Sequence, residues 1–260
     1  MTADAPLFDR ALLTNDDGID APGLAVLEEI AAQLAREVWV VAPATDQSGT
    51  SHSLSLHSPL RLVHFGPRRF SVNGTPGDCV AMGLRHVMRE APPDIVLSGV
   101  NRGANMGRET VFSGTVGAAM TAMLFGARGI ALSQVFTDRN AVPWDCSRQL
   151  APGVIRRVMA MDWSGDACLN INFPPCRPEE AGPMVLTRQG RGVLGGAEVV
   201  TGRDPRGLDY HWLQLTRGAT EDVEDSEWLA IRARKVAVTP LCFERTNLET
   251  LARMREQMGG

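Results

Sequence analysis

The chain has 260 residues, 44% of them hydrophobic and 22% charged, enough to bury a full core, and reads most simply as one large α/β domain with room for an appended subdomain. A formal net charge of -4 and the lack of any Lys/Arg run argue against a polymeric nucleic-acid partner. The N-terminus shows no basic segment followed by an apolar run, and the longest weakly polar stretch, 116–127, is too short to span a bilayer. The chain is therefore expected to stay in the cytoplasm, with no membrane partner.

Residues 11–14 form a short apolar run that suits a buried parallel strand, and Asn15, Asp16, Asp17 and Gly18 follow at its carboxyl end. Gly18 and Ala21-Pro22-Gly23 mark a loop opening into a helix. In open α/β sheets the crevice outside the strand ends is where ligands bind. Adjacent like charges repel, and a loop that turns both carboxylates toward one cation relieves that repulsion. A plain turn with Asp17 capping the next helix is the alternative, and these residues alone leave both open.

Leu24, Leu27, Ile30, Ala31 and Leu34 recur at helical spacing, and 38–42 follows as a buried strand ended by Pro43. The right-handed crossover of this β-α-β unit places the loop after Ala42 beside Asp16 and Asp17. That loop, 44–53, is rich in hydroxyls, Ser48 among them, and is long enough to fold over a site; a solvated linker has the same composition. Short strands are expected over 54–56, 60–65 and 69–72, with a turn at Gly66-Pro67. Thr75 as N-cap, Pro76 at N1 and Asp78 at N3 predict a helix through Val80, Leu84, Val87 and Met88, which makes Asp78 a capping residue rather than a catalytic one.

Residues 95–97 form the next buried strand, followed by a glycine- and asparagine-rich loop from Ser98 to Gly107 that contains Asn101 and Asn105. It leads to Ser113-Gly114-Thr115 at the start of a helix of small residues over 115–127. The free N–H groups of such a helix start make a ready phosphate site, and its small side chains would also let it lie close to the sheet. A strand over 129–133, a helix over 152–161, a strand over 168–173 and a stop at Pro174-Pro175 complete the alternation. Beyond it, 184–188, 209–215 and 236–239 are β-like, and 248–258 is an amphipathic helix. The expected organisation is a core over 1–182, a β-rich arm or subdomain over 183–239 and a C-terminal helical segment over 240–260.

Gly190-Arg191-Gly192-Val193-Leu194-Gly195 spells G-x-G-x-x-G but opens no helix, so it reads as a flexible loop and not as a dinucleotide fingerprint. No P-loop and no H-E-x-x-H occur, and the five scattered cysteines form neither a disulfide framework nor a zinc knuckle. Of the five histidines only His52, in the hydroxyl-rich loop, is placed near the site.

Thr14-Asn15-Asp16-Asp17-Gly18-Ile19, Ala42-Pro43 with Ser48-Gly49, Asn73-Gly74-Thr75-Pro76-Gly77-Asp78, Ser98-Gly99-Val100-Asn101-Arg102-Gly103-Ala104-Asn105 and Ser113-Gly114-Thr115-Val116-Gly117 follow one another in a known order. In these motifs the chain resembles the SurE family of stationary-phase survival proteins, metal-dependent phosphatases of nucleoside monophosphates. Asn170-Ile171-Asn172, Asp204-Pro205-Arg206-Gly207 with Tyr210-His211-Trp212, and Val238-Thr239-Pro240-Leu241 extend the resemblance more loosely.

The resemblance implies a Rossmann-like α/β fold, a mostly parallel sheet flanked by helices, with a β-rich C-terminal arm exchanged in homodimers or homotetramers. It puts the metal ligands on Asp16, Asp17, Ser48 and Asn101, with Asp16 and Asp17 as catalytic residues, and substrate phosphate on Asn105, Ser113, Gly114 and Thr115, beside Asn15. Two carboxylates, a hydroxyl and an amide carbonyl are hard oxygen ligands that favour one divalent cation per subunit, Mg²⁺ or Mn²⁺. The implied reaction is hydrolysis of nucleoside 5′- and 3′-monophosphates by metal-activated water, with a side activity on short polyphosphate. The chain departs from the family pattern at Glu109 (usually Asp), Phe112 (often Tyr), Thr121 (often Glu) and Arg234-Lys235 (usually Gly-Tyr). An aspartyl-phosphate mechanism through Asp16 or Asp17 is the second enzyme reading, which adjacent Asp-Asp rather than Asp-x-Asp disfavours. A nucleotide sensor without turnover is the reading outside catalysis.

Overall fold

The computed structural model describes residues 5–163, 165–218 and 223–258. In chain order the strands are β1 (Phe8–Thr14), β2 (Ala35–Pro43), β3 (Leu62–Gly66), β4 (Arg69–Val72), β5 (Ile95–Arg102), β6 (Gly129–Gln134), β7 (Cys168–Phe173), β8 (Gly182–Leu186), β9 (Leu194–Arg203), β10 (Asp209–Arg217) and β11 (Lys235–Leu241). The helices are α1 (Pro22–Ala32), α2 (Pro76–Met82), α3 (Gly114–Leu124), α4 (Trp144–Met159), α5 (Glu227–Arg232) and α6 (Leu248–Gln257). Among the described residues nine strands form one sheet in the order β3-β4-β2-β1-β5-β6-β7-β11-β8, parallel from β4 through to β7, while β9 and β10 form a separate antiparallel ribbon.

Strand periodicity builds the layers. Ala11 and Leu13 of β1 pack with Leu27 and Ile30 of α1 and with Val154 and Ile155 of α4; Leu12, pointing the other way, packs with Cys79 and Val80 of α2 and with Ala118 and Ala122 of α3. The result is an open, Rossmann-like α/β sandwich of helices, sheet and helices. From β1 the chain steps outward to β2 and β4, then returns to place β5 on the opposite side of β1. The strand order therefore reverses between β1 and β5, and the crevice lies at their carboxyl ends.

Several expectations need correction. Residues 54–56 are not a strand: the N–H and hydroxyl of Ser55 bond to the Asp78 carboxylate, so the segment serves the capping of α2 instead of a ladder. Asp78 otherwise behaves as expected, closing a capping box with Thr75. The strand expected at 95–97 continues to Arg102, its pairing with β6 interrupted between Ser98 and Asn101, so Asn101 stands on a strand end and not in the loop. α4 begins at Trp144 and carries Pro152 inside it; the apolar face of Cys146, Ala151, Val154, Ile155 and Val158 holds the helix across the missing N–H.

The G-x-G-x-x-G segment ends in β9 rather than in a flexible loop, and no helix follows it. Of the stretch 183–239, β8 and β11 lie in the main sheet, and the ribbon of β9 and β10 stands outside it. The five cysteines are free and all but Cys242 are buried. Among the described residues no helix is long and apolar enough to cross a membrane.

Candidate active site

The acid pair sits where β1 ends, and three other segments close on it. Asp16 is 5% exposed; its Oδ1 accepts a hydrogen bond from the Thr115 hydroxyl at 2.5 Å, and its backbone carbonyl accepts the Gln47 N–H at 2.7 Å. The close approach of α3 needs a glycine, because a Cβ on Gly114 would stand 2.7 Å from the Asp16 Cβ. Ser113 is the N-cap of α3, its hydroxyl accepting the Val116 N–H. Asp16 thus faces the first turn of a helix whose dipole and free N–H groups favour negative charge.

Asp17 is half-buried, and its Oδ2 takes a long 3.4 Å bond from the N–H of Arg102, the last residue of β5. Burial is the largest cause holding both carboxyls above the ordinary range. Asp16 is raised to about 6, with the Asp17 charge adding to the shift and the Thr115 hydroxyl opposing it. Asp17 is also raised, with the Asp46 charge adding and the Arg102 N–H and the Arg102 and Arg139 charges opposing. Asp46 is therefore part of the local electrostatics; in the hydroxyl-rich loop the hydroxyl of Ser48 drew the sequence reading, and the carboxylate two residues before it did not.

Ser48 is exposed, and its N–H and hydroxyl both donate to Asp46 Oδ1, at 2.8 and 2.6 Å. Asn101 donates from Nδ2 to the Gly103 carbonyl at 3.1 Å. Asn15 is buried, its Nδ2 donating to the Gly18 carbonyl while its Oδ1 has no hydrogen-bond partner. Each donor arrangement leaves oxygen lone pairs uncommitted: on Ser48 Oγ, on Asn101 Oδ1 and on Asn15 Oδ1. Among the described residues no group of three or more His, Cys, Asp or Glu is placed to hold a metal, so a cation here would depend on the mixed set of carboxylates, hydroxyl and amides.

Asn105 is buried and locked. Its Nδ2 donates to Ser133 Oγ at 2.9 Å, its N–H donates to Asn172 Oδ1, and its carbonyl accepts from the amides of Asn170 and Asn172. Asn170 Oδ1 in the same network has no partner. Ser133, Asn170 and Asn172 thus support the site loop from β6 and β7; the Asn-x-Asn alternation on one strand, which sends both amides to one face, was the available signal.

Among the described contacts His52 pairs with neither acid. Its Nε2 lies 3.1 Å from Met120 Sδ and its ring 5.6 Å from that of Phe243, in the wall of a cavity of about 320 Å³ that also takes in Arg108, Gln189 and Arg245. Burial, and secondarily the Arg245 charge, lowers its pKa. A cavity of about 610 Å³ opens at the other end of the sheet, beside Phe8, Asp94 and Arg128, where the parallel strands begin. The acid pair lies at the carboxyl ends instead, and its chemistry rather than cavity size marks the site.

A family model described as survival protein SurE matches residues 11–195. The chain belongs to the SurE family. Among SurE relatives, the 5′-nucleotidase SurE 1 of Burkholderia lata is 65% identical over 98% of this chain and 98% of its own. The 5′-nucleotidase SurE of Bradyrhizobium diazoefficiens is 49% identical over 92% and 95%. The crystal structure of the SurE protein from Aquifex aeolicus superposes with a TM-score of 0.80 at 33% identity, covering 96% of this chain and 99% of that one.

Proposed function

We propose that this SurE chain is a divalent-cation-dependent 5′-nucleotidase of the cytoplasm, hydrolysing nucleoside monophosphates to nucleoside and phosphate. The observation that carries the reading is Asp16, a buried carboxyl held between the Asp17 charge and the first turn of α3 at a strand-order reversal. Relatives that span nearly all of the chain carry the name 5′-nucleotidase, which supports the same reaction class.

The residues present fit a hard cation. Asp16 and Asp17 would supply the negative charge, and Ser48 and Asn101 the neutral oxygens that their own donor bonds leave free. When bound, such a cation supplies positive charge at a phosphate oxygen and a more acidic water. The chain does the rest by positioning. Thr115 fixes the rotamer of Asp16, the N–H groups at the start of α3 face the phosphate, and Asn105, immobilised by Ser133, Asn170 and Asn172, shapes the opposite wall. Adjacent Asp16-Asp17, rather than an Asp-x-Asp pair, keeps an aspartyl-phosphate route the less favoured reading.

Phosphate release from a panel of nucleoside 5′- and 3′-monophosphates and short polyphosphate, with Mg²⁺, Mn²⁺ or chelator, tests the proposal. Turnover of 5′-monophosphates that needs cation is expected, together with its loss in folded Asp16→Asn and Asp17→Asn variants. Binding of nucleotides without release of phosphate under any cation would leave the sensor reading standing in its place.

A further inference from the structure

Glu227 opens α5 and is 1% exposed, an uncommon setting for a carboxylate. Its oxygens accept the N–H of Gly107 at 2.5 Å and the N–H of Gly190 at 2.7 Å, the first of these 120 residues away in sequence. Hydrogen bonds from backbone N–H to a carboxylate belong to the stronger class. Gln189 holds the same loop from another side, its Nε2 donating to the Gly107 carbonyl at 2.7 Å and to Thr110 Oγ1 at 2.8 Å. The two backbones touch: the Arg108 N–H reaches the Arg191 carbonyl, and a Cβ on Gly107, at φ +60°, would stand 2.3 Å from the Gly192 Cα. The glycines of the G-x-G-x-x-G run thus serve a close backbone approach, not a nucleotide.

The segment gripped in this way, 107–110, joins Asn105 to Ser113. The segment that grips it, 189–192, is the root of the β9–β10 ribbon. We infer that Glu227 is a positioning residue for the phosphate half of the site, fixing the loop 105–113 to the ribbon root so that Asn105 and the start of α3 face the acid pair. The inference rests on the nucleotidase reading. Asp16 and Asp17 follow the end of β1 and, among the described residues, share no hydrogen bond with Glu227, so loosening this staple acts on phosphate and not on the cation.

Glu227→Ala leaves the buried Gly107 N–H and the half-buried Gly190 N–H without this acceptor, whereas Glu227→Gln keeps one carbonyl oxygen for one of them. Calorimetric binding of orthovanadate to the Mn²⁺-loaded protein should weaken by about tenfold in the alanine variant and by less in the glutamine variant. Turnover should fall in the same order, while the Mn²⁺ concentration for half-saturation stays within about twofold of wild type. Gln189→Ala, measured the same way, decides the matter if Glu227→Ala does not fold. Folded variants with unchanged vanadate affinity and turnover overturn the inference, as does a Mn²⁺ midpoint that moves as far as the vanadate affinity. A wild-type protein that releases no phosphate from any nucleoside monophosphate overturns the nucleotidase reading itself, and this inference with it.

Discussion

Asp16 holds its proton to a pH well above that of a free aspartate. In the unfolded chain it titrates near 3.8 and in the folded one near 6, so between those values the folded state keeps a proton that the unfolded state has released. Stability contributed through this group is therefore lost as pH rises through that window, by up to about 3 kcal/mol for a shift of about two units. Without divalent cation, the wild-type melting temperature should fall relative to that of Asp16→Asn as pH goes from about 4 to about 6.5, leaving the variant the more stable at neutral pH. Cation added at pH 7 should restore the wild type and do little for the variant. A cation-free Asp16→Asn protein that melts below wild type at pH 7 would count against this electrostatic picture. Two asparagines divide the remaining work. Asn101→Ala should raise the cation requirement, and Asn105→Ala should weaken inhibition by phosphate or vanadate at saturating cation. Equal movement of both quantities in both variants would defeat that division.

At the next scale up, the end of α5 carries a residue that its backbone does not favour. Arg234 follows the C-cap Ala233 with φ +55°, its N–H closing onto the Ile231 carbonyl. This left-handed position after a helix suits glycine, the residue the family pattern usually has there. Arg234→Gly should stabilise the protein by about 0.5–1 kcal/mol, read as a higher urea midpoint with unchanged m-value; a lower midpoint would mean that the side chain contributes more than its backbone costs. The strand and helix types were mostly legible because β1, β2, β5, β6 and β7 are buried apolar runs and because Thr75 and Asp78 announce a helix start. The extent of α4 was hidden by Pro152, which reads as a first-turn residue but sits in the interior. β9 was hidden by Gly195 and Gly196, which dilute its alternation. In the site, the acid pair and the asparagine-rich loop were legible as motifs. Glu227 was not, since a buried carboxylate bonded to backbone N–H groups has no side-chain partner for a motif to name.

For the whole molecule, the ribbon raises the question of assembly. Among the described residues β9 and β10 pair only with each other and expose Val199, Tyr210, Trp212, Leu213 and Leu215, and a two-stranded ribbon on its own is at best marginally stable in water. A homo-oligomer in which this arm meets another subunit would cover those side chains. Light scattering at micromolar concentration should therefore give a dimer or larger, and removing 194–217 should reduce it; a monomeric full-length chain would rule out arm exchange as the normal state. The contacts that complete the site also have a timing. Asp17 meets Arg102 across 85 residues, Asp16 meets Thr115 across 99, and Gly107 meets Glu227 across 120. Loops of that span close late. On the ribosome the acid pair is made long before its partners, so a growing chain carries the carboxylates before the contacts that complete the site can form. During refolding, phosphate release should trail the return of helical signal, and simultaneous recovery of the two would show that the site matures with its first half alone.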